Sequence, residues 1–265
     1  MIIDFHTHIF PEKIAGKTIE SLENLSGIKA STNGTLEGLL ASMEQAGVDM
    51  SVIMPVATKP VQMENINFFA KEINERYPGK LISFGGIHPD ISDYKKELDH
   101  IKELGLKGIK IHPDYQRVMI DDVRFMNIIE YADSLGLVIL THAGIDIGLP
   151  DTVHCPPQKM RKVLDVLKPK KMVVAHYGGW KMWQEVYDYL AGEDVYLDTA
   201  FTFDFIKEDM FLKILEKHNP DKILFATDSP WSYAGKNIEV VNKLPIDENI
   251  RQKIFSENAK RLLEL

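Results

Sequence analysis

Short, strongly apolar runs of β type recur along the whole chain, each followed by a helix-like stretch, and this recurrence limits the fold more than any other feature. The runs fall at 2–6, 50–54, 81–85, 108–111, 138–141, 172–175, 195–197 and 223–226. Most are apolar on both alternating faces, as strands are when helices cover one side of a parallel sheet and a core fills the other. The intervening stretches carry helical periodicity. Leu36, Leu39, Leu40, Met43 and Ala46 form one apolar face, with Gly47 placed to stop the helix. Phe125, Ile128, Ile129, Ala132 and Leu135 form another, stopped at Gly136, and Val163, Val166 and Leu167 a third, ended by Pro169. Ile250, Ile254, Ala259, Leu262 and Leu263 read as a closing helix. Strand–helix alternation through eight units predicts an α/β fold, a (β/α)8 TIM barrel. Residues 9–34 contain no clear strand and read as an elaborated first loop over the barrel mouth. No Gly/Ser or Pro-rich linker interrupts the 265 residues, so one domain over 1–265 is expected.

Composition narrows the partners. A net charge of −8 with no basic block argues against nucleic acid and against an anionic membrane surface. No apolar stretch approaches the roughly 20 residues that span a bilayer, and the first residues read as a strand rather than a leader. The single cysteine, Cys155, excludes an intrachain disulfide and fits a reducing compartment, so a cytoplasmic location is expected. A small-molecule substrate is the expected partner, and homo-oligomerisation stays open.

Polar residues concentrate at one end of the strands. Of nine histidines, six lie at or just beyond C-terminal strand ends: His6, His8, His88, His112, His142 and His176. Asp228 ends the eighth strand. In a barrel those ends converge on one mouth, where the chemistry occurs. His6 and His8 are two residues apart, so they share a strand face, and Asp4 shares it as a partner for their rings. Two imidazoles on one face make half of a divalent-metal site.

Five motifs, taken together, resemble the amidohydrolase superfamily: Asp4-Phe5-His6-Thr7-His8, Gly108-Ile109-Lys110-Ile111-His112-Pro113, Thr141-His142-Ala143-Gly144, Ala175-His176-Tyr177-Gly178-Gly179 and Thr227-Asp228-Ser229-Pro230. The resemblance runs along the whole chain and is nearest to the amidohydrolase-related branch. That branch also contains decarboxylases similar to aminocarboxymuconate-semialdehyde decarboxylase. It implies His6, His8, His142 and Asp228 as ligands of a divalent metal, with zinc expected at one or two per chain. His176 would bind a second metal or assist proton transfer. Lys110 matches a position that bridges two metals only if carboxylated.

The function the resemblance implies is a metal-dependent hydrolase acting through metal-activated water on an amide, ester or lactone-like bond. Asp228 and His176 would handle protons. The alternative is a metal-dependent, non-oxidative decarboxylase of an unsaturated or aromatic acid, and a further one is a metal-binding barrel without catalysis. His112 reads equally as a substrate contact or a rim histidine, and His88 likewise. Trp231 reads as a pocket wall or as packing under a loop. His154 and Cys155, in a Pro-bounded loop, read as structural, and His100 and His218 as solvent-facing. Nucleotide-binding glycine motifs and a Gly-x-Ser-x-Gly elbow are absent.

Overall fold

The computed structural model describes residues 1–265. Its parallel strands are β1 (Ile3–Thr7), β2 (Met50–Ile53), β3 (Leu81–Ser83), β4 (Gly85–Gly86), β5 (Gly108–Ile111), β6 (Val138–Thr141), β7 (Met172–Val174), β8 (Tyr196–Asp198) and β9 (Ile223–Leu224). They make eight staves, because β3 and β4 are one stretch that changes partner at Phe84. β3 pairs with β2 and β4 with β5, and every other neighbour follows chain order. The ring closes where β1 meets β9. There Phe5 N–H donates to Phe225 O at 2.9 Å and Asp228 N–H to His6 O at 2.8 Å. This is the (β/α)8 architecture expected from the alternation.

Inward positions below the mouth fill the barrel with Phe5, Val52, Phe84, Leu140, Val173 and Leu224, among others. Outward positions such as Ile109, Ile139, Leu197 and Phe225 pack under the helices. The break at Phe84 lets its ring enter the interior edge-on to Phe5, with centroids 6.0 Å apart. In β1 the pairing register shifts between Asp4 and Thr7. Such a bulge re-aims side chains: Ile3 and Phe5 belong to the interior core, yet His6 and His8 also turn into the mouth. Asp4 therefore does not share their face. The strict two-residue alternation assumed from sequence fails at this bulge.

Helices 36–46 and 123–134 end where expected, with Gly47 and Gly136 in left-handed conformations at φ 73° and 72°. Thr35 caps the first of these by accepting from Gly38 N–H at 3.0 Å. Three expectations need correction. The helix before Pro169 buries Met160, Val163 and Leu164, whereas Val166 points into solvent at 69% exposure. The closing element is not one α-helix, because a π-turn at Lys253–Glu257 separates Glu248–Gln252 from Asn258–Leu263. The five-residue step from Ile254 to Ala259 needs that wider turn to keep both side chains buried. The stretch 9–34 is no simple loop, since Glu12–Ser26 forms a helix, here α1, that leans over the barrel mouth. No helix is long and apolar enough to cross a membrane.

Asp4 ties the closing seam. Its carboxyl accepts Thr227 N–H at 3.0 Å and the Thr227 hydroxyl at 2.6 Å. Burial raises its pKa from 3.8 to about 7, against the lowering effect of these hydrogen bonds. A pKa raised on folding adds stability at acidic pH that is lost as pH climbs through the folded value. Asp4→Ala is expected to cost about 2 kcal/mol at pH 5 in urea unfolding. Asp4→Asn should cost less, its deficit shrinking towards pH 8. An alanine variant as stable as the parent would remove the seam role.

Candidate active site

The C-terminal strand ends surround one cavity of about 690 Å³. His6, His8, Lys110, His112, His142, His176, Asp228 and Trp231 all line it. So these eight residues, singled out for the site from sequence, lie in one place, whereas His88 does not. Two of them hold uncommon backbone conformations: His176 has φ 59° and Asp228 φ 66°. Left-handed non-glycine residues cost energy and cluster at functional sites. Both are held by hydrogen bonds, His176 N–H to Asp198 Oδ1 at 3.0 Å and Asp228 N–H to His6 O.

Nitrogen and oxygen atoms of His6, His8 and Asp228 all lie within 4.8 Å of one another. His8 Nε2 is 3.0 Å and His6 Nε2 3.5 Å from Asp228 Oδ1. Ligand atoms at about 2.0–2.2 Å from zinc lie roughly 3–4 Å apart, so this spacing suits one ion. Hydrogen bonding prepares the donors. His6 Nδ1 is 2.9 Å from Asp198 Oδ2, and burial and the Lys110 charge hold its ring neutral, well below the usual pKa. The single proton therefore sits on Nδ1, donated to Asp198, and the Nε2 lone pair faces the cavity. Burial alone would raise Asp228, but the hydrogen bond from His8 and the nearby imidazoles bring its pKa to about 2. Two imidazoles and an ionised carboxylate form a donor set that fits a divalent cation.

A second group, His112, His142 and Asp146, meets the same distance limit. Here the chemistry is less prepared. His112 Nδ1 accepts Tyr115 N–H at 3.4 Å, which leaves the ring proton on Nε2, 3.6 Å from Asp146 Oδ2. His112 stacks on both Tyr115 and His142 with centroids 4.2 Å apart. His142 is thus grouped with His112, outside the His6–His8–Asp228 trio. Its Nδ1 is 2.9 Å from His176 Nε2, and His176 Nδ1–H donates to Ala200 O at 3.0 Å. Buried His142 Nε2 and Asp114 Oδ2 both lack a hydrogen-bond partner and lie 3.7 Å apart. Burial raises Asp146 to about 6 and raises Asp114 as well.

Lys110 is 1% exposed, and its Nζ lies 3.0 Å from His6 Nε2. Burial pushes its pKa down to about 8, while Asp228, Asp198 and Asp146 oppose the fall. Sequence reasoning missed Asp198, Asp146 and Asp114. The signal for Asp198 was its place at a strand end; Asp146 follows His142 by four residues and Asp114 follows His112 by two. Asp4, read as a partner for the His rings, serves the seam instead, and Asp198 takes that part.

The remaining residues sort by burial. His154 Nδ1 lies 3.0 Å from Asp114 Oδ1, and Cys155 is fully buried, so the pair packs outside the cavity. His88 is buried and accepts Asp90 N–H at 3.1 Å, also off the cavity. His218 is not solvent-facing: it is buried, accepting Gly192 N–H and donating to Val195 O. It caps the end of helix 208–217 rather than lying on that helix's outer face.

A family model described as Amidohydrolase matches residues 3–265, and the chain belongs to that family. No curated protein matches it in sequence. Among solved structures, an uncharacterised TIM-barrel protein from Bordetella bronchiseptica superposes with a TM-score of 0.81 at 19% identity, covering 99% of this chain and 98% of the other. A 2,6-dihydroxybenzoate decarboxylase complexed with 2,6-dihydroxybenzoate gives 0.75 at 15%, covering 100% and 99%. A dihydroxybenzoic acid decarboxylase from Polaromonas sp. JS666, with bound manganese and the inhibitor 2-nitroresorcinol, gives 0.76 at 17%, covering 100% and 97%. At these identities the likeness is one of fold.

Because Asp198 fixes the His6 proton, Asp198→Asn is expected to weaken divalent-metal affinity roughly 10- to 100-fold in calorimetric titration with zinc or manganese. The parent should take up about one ion per chain, the number the prepared trio can hold. Unchanged affinity in the Asn variant would separate His6 from the metal.

Proposed function

We propose that this protein is a metal-dependent, non-oxidative decarboxylase of an unsaturated or aromatic acid. The observation that carries the reading is the preorganised His6–His8–Asp228 trio at the base of a largely apolar cavity. The fold likeness to two decarboxylases supports this reading over hydrolysis, the one the sequence resemblance put first. The cavity supports the same choice. Loss of CO2 needs no water as reactant, and apolar walls above the ionisable base suit an organic acid better than water.

His6 Nε2, His8 and Asp228 would hold the cation, zinc or manganese, with His142, which lines the same cavity, as the further ligand the family resemblance implies. Bound there, a divalent cation supplies Lewis-acid polarisation of a substrate oxygen. The chain's own groups do the rest. Lys110 is the only lysine or arginine in the lining and pairs with the substrate carboxylate. The C–C bond to that carboxylate breaks, CO2 departs, and the electron pair left on carbon takes a proton. That proton comes from solvent and is relayed to carbon by Asp228 and His176, which both line the cavity.

Metal-loaded protein incubated with aromatic and unsaturated acids should release CO2 from at least one of them. Incorporation of water-derived oxygen into the product of an amide, ester or lactone, without CO2 release from any acid, would return the reading to hydrolysis. Asp228→Asn keeps a carbonyl oxygen towards the metal but loses charge and basicity. It should retain most of the metal and lose turnover by about 10²- to 10⁴-fold. Near-normal turnover with full metal would contradict the role given to Asp228.

A further inference from the structure

Helix α1 carries two apolar stripes where packing requires only one. Ala15 and Ile19 are buried against the body of the protein. Ile14, Thr18, Leu22 and Leu25, spaced four, four and three residues apart, line the cavity instead. Ile14 and Leu25 remain 50% and 53% exposed, and Val61, which also lines the cavity, is 83% exposed. A helix whose only task was to roof a water-filled mouth would present polar side chains there. Isolated exposed apolar residues are ordinary, but several on one cavity wall mark a binding surface.

Charge narrows the ligand. Lys110 is the only cationic side chain of lysine or arginine in the lining, and it lies at the base beside His6. The titratable acids of the lining are Asp146 and Asp228. A second carboxylate higher in the cavity would meet no cation. On the upper wall, Gln62 commits its side-chain oxygen to Thr58 and Lys59 N–H groups at 2.9 Å each. Near the end of α1, a Cβ added at Gly148 would come within 2.9 Å of Leu25, so helix and facing loop touch there. A volume of about 690 Å³ falls in the range that encloses drug-sized ligands, beyond the needs of a single-ring acid.

We propose that the substrate is a monocarboxylic acid with an extended hydrocarbon tail, its carboxylate at Lys110 and its tail along Ile14, Leu22, Leu25 and Val61. This rests on the carboxy-lyase reading. It assigns α1 the part of selecting substrates by their apolar length.

The test uses metal-loaded protein and 4-alkyl-2-hydroxybenzoates from methyl to octyl, whose ring hydroxyl offers the cation an oxygen and lets the leaving carbon be protonated, with isophthalate against benzoate as the dicarboxylate control. Affinity is read by calorimetry and CO2 release is read separately. Affinity should rise about fourfold per methylene until the mouth is reached, and isophthalate should bind no better than benzoate. Ile14→Ser and Leu25→Ser alter partly exposed positions; each should flatten the dependence on tail length and leave the methyl compound's affinity unchanged. Tail-dependent affinity without CO2 release would keep this inference and remove the carboxy-lyase reading. CO2 release with no dependence on tail length, tighter binding of isophthalate, or serine variants with the parent's slope would each overturn the inference.

Discussion

Two oxygens of Asp198 accept N–H groups from three parts of the barrel. Oδ2 takes the proton of His6 Nδ1, and Oδ1 takes the backbone N–H groups of His176 and Ala200. Through this one carboxylate the His6 ring on β1 is aimed from the end of β8, and the left-handed turn at His176 is held in place. A carboxylate that accepts several N–H bonds is rigid, because moving it would strand more than one buried donor. The proton position on His6, and so its readiness as a ligand, follows from that rigidity. The rest of the site is arranged around it: Asp228 faces the free His6 nitrogen from the closing strand, and Lys110 faces it from the fourth stave.

Polarity in the cavity is graded from base to mouth. Ionisable groups gather where the strands end, and apolar groups from α1 and from the segment around Val61 take over above them. Interactions among charges strengthen as water is excluded. An apolar roof over a charged base would therefore strengthen each contact at the base whenever water is kept out.

Much of this was legible in the chain. The eight apolar runs, the glycine stops at Gly47 and Gly136 and the strand-end histidines are local signals, each with a direct physical cause. What was missed depended on context. The bulge in β1 breaks the two-residue alternation, so Asp4 was assigned a partnership that belongs to Asp198. The seventh run was read only to residue 197, one position short of the carboxylate that ends it. The double stripe on α1 blurs helical periodicity, because a helix with two apolar faces looks like an unpatterned stretch. His218 sits at a helix end, where neither face of the helix predicts its burial.

The seam described above sets the order in which this protein can come into being. The Asp4–Thr227 bonds join residues 223 positions apart, and His8 meets Asp228 across the same divide. Contacts of such long sequence separation form late, because the chain between must be gathered first. A nascent or partly folded chain has the histidine pair but not the aspartate. On the proposed reading, cation-binding capacity would be a property of the finished ring alone, and uptake of an ion would report that folding is complete.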